Sequence, residues 1–109
     1  MNKIFIYGTL APGKPNEHIL SDLKGSWEDA YVYGSLLKEG WGSDLGFPGI
    51  VLDNQKDIVD GFIFTSSELK NKLTFLDQFE GIEYKRVTTI AYLKSGEECE
   101  VYIYVLNRK

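Results

Sequence analysis

The run RVTTIAYLKSGEECEVYIYVL, residues 86–106, decides the fold class. Arg86 to Leu93 is rich in β-branched and aromatic residues. Lys94-Ser95-Gly96-Glu97 has turn composition, and Glu100 to Leu106 resumes the β pattern, so the run reads as a hairpin. In its second arm Tyr102 and Tyr104 share one face, while Val101, Ile103 and Val105 share the other. Plain packing of both faces is the first reading of these tyrosines; the alternative, in which only the aliphatic face is core, has them line a cavity. Upstream, Thr65-Ser66-Ser67-Glu68 has the spacing of a capping box and predicts a helix reaching Phe79 or Glu80, ended by Gly81. Ile58 to Phe64 reads as a strand in which Gly61 marks a bulge or a close approach. Residues 40–49 contain Gly40, Gly42, Gly46, Pro48 and Gly49, the breaker density of a long shaped loop. Trp27 to Leu37 reads as one or two strands. Asn16 is placed to cap a short helix carrying Ile19, Leu20 and Leu23, ended by Gly25. Lys3 to Tyr7 is the first strand, and it runs into Gly8. The order β, α, β, β, α, β, β does not repeat βαβ as a doubly wound parallel sheet requires. It predicts an α+β fold: a curled or closed sheet with a few helices packed on it.

Composition narrows the function classes. The chain has 109 residues, a length that fits one domain over 1–109, and 43% of them are hydrophobic, which suits a packed core. Its formal net charge is −4 and its pI about 4.9, which argues against nucleic acid as a partner. No apolar run approaches the roughly 18 residues that span a bilayer, so no membrane partner is expected. The apolar start through Tyr7 is too short for a signal peptide and reads as a strand. One cysteine, Cys99, has no internal disulfide partner, and a cytoplasmic location is expected. With a single histidine, His18, no His/Cys metal cluster is available. Cys99 lies among Glu97, Glu98 and Glu100, which disfavour a thiolate. Oligomeric state is left open.

Glu80 is the most informative residue. At about 100° per residue, Leu73, Leu76 and Glu80 all fall within about 40° of Leu69, so the carboxylate sits inside the apolar stripe. It also occupies the last turn, where the helix dipole is negative. Burial and dipole both raise a carboxylate pKa, which makes Glu80 a candidate general base. The bland alternatives are a helix that ends earlier and turns Glu80 to solvent, or a structural pairing with Arg86 or Lys85. Asp77, near about 80° on the same wheel, reads as a rim residue. A second constellation is Tyr7-Gly8-Thr9-Leu10. There a glycine directly after a strand permits close ligand approach, and successive amides can converge on an anion; an ordinary turn is the alternative. Tyr33-Gly34-Ser35-Leu36 repeats the letters without a preceding apolar strand and reads as structural.

Three pieces together resemble the γ-glutamylcyclotransferase-like (AIG2-like) superfamily, in its short bacterial and γ-glutamylamine type. They are the opening strand with Tyr7-Gly8-Thr9-Leu10, the loop Gly46-Phe47-Pro48-Gly49, and Leu76-Asp77-Gln78-Phe79-Glu80-Gly81 followed by Tyr84-Lys85-Arg86. The resemblance implies a small mixed β-barrel with flanking helices. It also implies a cofactor-independent acyl transfer, in which the α-amine of a γ-glutamyl group attacks its own γ-carbonyl and 5-oxoproline is released. It places the catalytic glutamate at Glu80, the substrate-binding turn at Tyr7, Gly8, Thr9 and Leu10, and a further pocket tyrosine at Tyr104. The expected partner is a small γ-glutamyl substrate, with no metal and no organic cofactor. Position 11 is Ala where many relatives carry a basic residue. A non-catalytic module binding a small carboxylated ligand in the same pocket is the alternative.

Overall fold

In chain order the elements are β1 (Lys3–Ile6), α1 (His18–Ser21), β2 (Ser26–Tyr33), β3 (Ser35–Leu37) and β4 (Gly49–Val51). They continue with β5 (Ile58–Thr65), a 3-10 turn (Leu69–Asn71), α2 (Leu73–Glu80), β6 (Tyr84–Leu93) and β7 (Glu98–Leu106). The structure is a computed structural model and describes residues 1–41, 46, 48–53 and 55–107. Phe47 of the quoted loop lies outside the described residues.

The predicted hairpin forms, with β6 and β7 paired antiparallel from Tyr84↔Leu106 to Tyr92↔Glu98. The sheet closes into a barrel in the order β1-β5-β2-β6-β7. Four contacts are antiparallel, and the closing contact of β1 on β7 is parallel, with Ile4 opposite Tyr102. The result is a small mixed α+β barrel with few helices, as expected. Strands β3 and β4 form a separate two-stranded ribbon.

Alternation along the strands builds two cores. Phe5, Val32, Ile63, Val101, Ile103 and Val105 fill the barrel together with Ile50 of β4. Ile4, Ile6, Phe64 and Tyr104 face the opposite way and meet Ile19, Leu20, Leu69 and Leu76 of the helical segments. Both faces of β7 are therefore covered, as plain packing of the tyrosines predicts: helices cap the second face. Gly61 marks a close approach, because a Cβ there would lie 2.5 Å from the Ile6 carbonyl oxygen and 2.6 Å from the Phe5 ring.

Two cap assignments are corrected. Thr65 and Glu68 form no capping box. Thr65 ends β5 and its hydroxyl accepts from Lys3 Nζ at 3.0 Å, while the Glu68 carboxylate accepts from the Lys24 amide at 2.8 Å. With both partners committed to neighbouring elements, the chain makes a 3-10 turn first and α2 begins at Leu73. Asn16 contributes its carbonyl to Ile19 N–H, not a side-chain cap, and α1 is a single turn starting at His18.

Candidate active site

Helix α2 runs through Glu80 and stops at Gly81, whose φ of 78° favours glycine and whose amide donates to the Asp77 carbonyl at 3.1 Å. Leu69 and Leu76 are fully buried on the inner face. Glu80 lies on that face at the helix end. There its half-buried side chain borders a cleft whose empty space measures about 440 Å³, open solvent at the mouth included. Burial pushes its carboxyl from the usual 4.5 up to about 7. The bland pairing with Arg86 is not what forms: Arg86 Nε lies 3.1 Å from Asp77 Oδ1.

The same cleft is lined by Tyr7, Gly8, Thr9 and Leu10, together with Tyr104. The structure thus brings all six sequence-selected residues to one concavity. The turn after β1 is held by Ala11 N–H to the Gly8 carbonyl at 3.1 Å and Asn16 N–H to the Thr9 carbonyl at 2.9 Å. These bonds consume carbonyls of the turn, while the amides of Gly8, Thr9 and Leu10 are not among their donors. The Leu10 and Ala11 side chains are buried in the helix-side core and anchor the turn from below. Gly8 needs no left-handed backbone. A Cβ there would find nothing within 4 Å among the described residues, so the glycine leaves open space beside the cleft.

Tyr7 and Tyr104 act differently from free ligand donors. The Tyr7 hydroxyl donates to the Tyr104 carbonyl at 2.8 Å and accepts from Ile50 N–H at 3.0 Å, which joins β1, β7 and β4 behind the cleft. Burial holds its phenol well above the usual range. The Tyr104 hydroxyl donates to Asp77 Oδ1 at 2.6 Å. Burial, and then the Asp77 carboxylate, raise its pKa strongly. Their rings line the cleft while their hydroxyls hold its walls. Asp77 is thus more than a rim residue. It lies three positions before Glu80, and it ties α2 to β7 through Tyr104 and to β6 through Arg86, which also covers the Tyr102 ring at 5.0 Å.

Trp41, Pro48 and Tyr84 also line the cleft, with Phe5 and Ile6 of β1, and sequence reasoning did not place Trp41 there. Its indole N–H donates to the Glu80 carbonyl at 2.9 Å, and its ring meets Phe79 edge-on at 5.4 Å. The available signal was a tryptophan inside a glycine-rich loop. Among the described residues no helix is long and apolar enough to cross a membrane.

The comparisons with known proteins agree with this fold. A family model described as γ-glutamyl cyclotransferase, AIG2-like, matches residues 4–109. No curated protein matches this sequence. Among solved structures, YkqA from Bacillus subtilis shares 27% identity at a TM-score of 0.75 over 97% of this chain, which spans only 36% of that protein. An AIG2-like protein from Mus musculus shares 25% identity at a TM-score of 0.77, covering 98% of this chain and 78% of its own. An Arabidopsis thaliana protein shares 27% identity at a TM-score of 0.71, covering 96% and 61%. With the family match extending over nearly every residue and the barrel common to these structures, the chain belongs to the γ-glutamyl cyclotransferase, AIG2-like, family.

Proposed function

We propose that the protein releases 5-oxoproline from a γ-glutamyl amine or γ-glutamyl peptide. The observation that carries this reading is one cleft bordered both by the Glu80 carboxyl and by the backbone of Gly8 to Leu10. An α-ammonium group is not a nucleophile until it loses a proton. Glu80 as carboxylate takes that proton, and the freed amine attacks the γ-carbonyl carbon to close a five-membered ring. As the γ C–N bond breaks, Glu80 returns that proton to the departing nitrogen and relays to it the second proton shed by the ring nitrogen, so the amine leaves as an ammonium and the lactam is neutral. A carboxyl poised near 7 performs both transfers near neutral pH. The nucleophile belongs to the substrate, so no covalent enzyme intermediate is needed. Holding the γ-glutamyl chain curled supplies much of the acceleration. In this reading the amides of Gly8, Thr9 and Leu10 hold an anion, either the α-carboxylate or the developing oxyanion.

Mass spectrometry for 5-oxoproline across a set of γ-glutamyl compounds tests the reaction. Wild-type protein should release it, and Glu80→Gln should fold but release none. The kcat/KM should climb about tenfold per pH unit below 7 and level off above. Normal turnover by Glu80→Gln removes the role of Glu80. Ligand binding with no product from any compound returns the site to a binding module.

A further inference from the structure

The outer face of the barrel carries aromatic surface remote from Glu80. Ala30, Val32, Val59 and Ala91 point into the barrel, so alternation turns Tyr31, Tyr33, Asp60 and Tyr92 outward. The three tyrosines form one cluster. Tyr31 stacks on Tyr92 at 5.3 Å with the planes 18° apart, and Tyr33 meets the two rings edge-on at 5.9 and 5.4 Å. All three remain partly exposed. Ile58, opposite Tyr33, is 54% exposed, and Ile90, on the same face of β6 as Tyr92, is 40% exposed. Tyr84 lines the cleft, whereas Tyr92 lies at the other end of β6, about 26 Å of strand away. Ring closure at Glu80 makes no use of this surface. A contiguous exposed apolar patch marks an interaction site, and tyrosine is enriched at such sites.

Charge selects the partner. The register sets Asp60, Tyr31, Tyr92 and Glu98 side by side in one row across β5, β2, β6 and β7, so a carboxylate flanks the stacked rings at each end. Asp60 and Asp29 also border an open hollow beside Phe62 and Lys94, with about 620 Å³ of empty space, solvent included. Glu100 stands opposite Ile90 and adds a further negative charge. Lys94 is already bonded to Asp29 at 3.1 Å. Such a face repels acidic partners, a second copy of this chain at net charge −4 among them. A guanidinium suits both of its features: the flat face stacks on a phenol ring, and the edge forks onto a carboxylate. Neighbouring strands stand about 4.8 Å apart, so the row from Asp60 to Glu98 spans about 14 Å. An extended chain advances about 3.3 Å per residue, so arginines about four positions apart reach both ends.

We infer that the outer face around Tyr31, Tyr33 and Tyr92 docks an extended, arginine-bearing segment of a partner protein. One guanidinium enters the hollow beside Asp29 and Asp60, and a second, about four residues away, meets Glu98 across the tyrosine rings. The inference is independent of the reaction at Glu80. The probe is the peptide Gly-Arg-Pro-Leu-Pro-Arg-Gly, acetylated and amidated, whose prolines hold it extended. Titrated into isotope-labelled wild-type protein, it should shift the amide signals of Tyr31, Tyr92 and Glu98 and leave those of Gly8 to Leu10 in place. Lysine in place of both arginines should weaken binding about threefold, and glutamate in place of both should abolish it. Asp60→Asn and Glu98→Gln, both at exposed positions, should each weaken the arginine peptide about threefold, and Tyr92→Ala about fivefold. Raising sodium chloride from about 50 to about 300 mM should weaken it at least about threefold. No binding at about 1 mM peptide, equal affinity for the glutamate peptide, shifts confined to the Glu80 cleft, or unchanged affinity in both carboxylate variants overturns the inference. Self-association in sedimentation that Glu98→Gln strengthens and Tyr92→Ala removes gives the face to a second copy of the chain and overturns it as well.

Discussion

Replacing Glu80 by Gln separates its cost to folding from its use in chemistry. In the folded protein the carboxyl titrates near 7, against about 4.5 in an ordinary setting, and burial is the cause. Below 4.5 the group is neutral in folded and unfolded chains alike and contributes no difference. Between 4.5 and 7 the folded state holds the extra proton, so stability falls as pH rises. Above 7 the full penalty of a buried charge is present. At ~1.4 kcal/mol per pKa step, the gap amounts to about 3 kcal/mol. Water at the mouth of the cleft reduces this, and we expect ~1–3 kcal/mol. Glutamine has nearly the same shape and never ionises, so Glu80→Gln should match wild type at pH 4.5 and exceed it by that amount at pH 8. With a urea dependence of ~1–3 kcal/mol per molar, the midpoint should move up by about 1 M at pH 8. Every other titrating group is common to both proteins and cancels in the difference. A gain that does not vary with pH, or a Gln variant less stable at pH 8, refutes the argument that burial governs this carboxyl.

Tyr7→Phe removes the hydroxyl that bridges Ile50 N–H and the Tyr104 carbonyl; leaving these groups without it should cost about 2 kcal/mol, read by urea unfolding. An unchanged midpoint means that the bridge contributes nothing. Asp77→Asn weakens the clamp from α2 to Tyr104 and Arg86; since the Asp77 side chain is 45% exposed, the expected loss is only about 1 kcal/mol, with a larger proportional fall in kcat as Glu80 loosens. Full kcat in this variant would deny Asp77 a positioning role. Gly8→Ala meets open space, so its stability should stay within about 1 kcal/mol of wild type, while KM rises because the methyl intrudes on the ligand side. A large loss of stability with normal KM would make Gly8 a structural glycine.

Much of the fold was legible because its signals are local. The β6–β7 hairpin shows in composition and turn residues over a few positions, and Gly81 marks the end of α2 in the same way. Glu80 was legible for a related reason: helical periodicity alone puts it on the stripe of Leu69, Leu73 and Leu76, whatever that stripe packs against. The capping box misled because Thr65 and Glu68 found partners in Lys3 and Lys24, which lie far away along the chain. Local spacing carries no information about such competitors.

Periodicity, breakers and turn chemistry are written into successive residues, so the β6–β7 hairpin, the end of α2 and the inward placement of Glu80 follow from the chain alone. Closure of the barrel is a non-local event. Only the parallel contact of β1 with β7 brings the turn after the first strand to a tyrosine near the other end of the chain. Packing of separate segments likewise delivers Trp41 to the Glu80 carbonyl, Asp77 to the Tyr104 hydroxyl, and the Tyr7 hydroxyl to β4 and β7. Each of these contacts joins residues 27 or more positions apart, at distances set by packing. No pattern within a single segment encodes them.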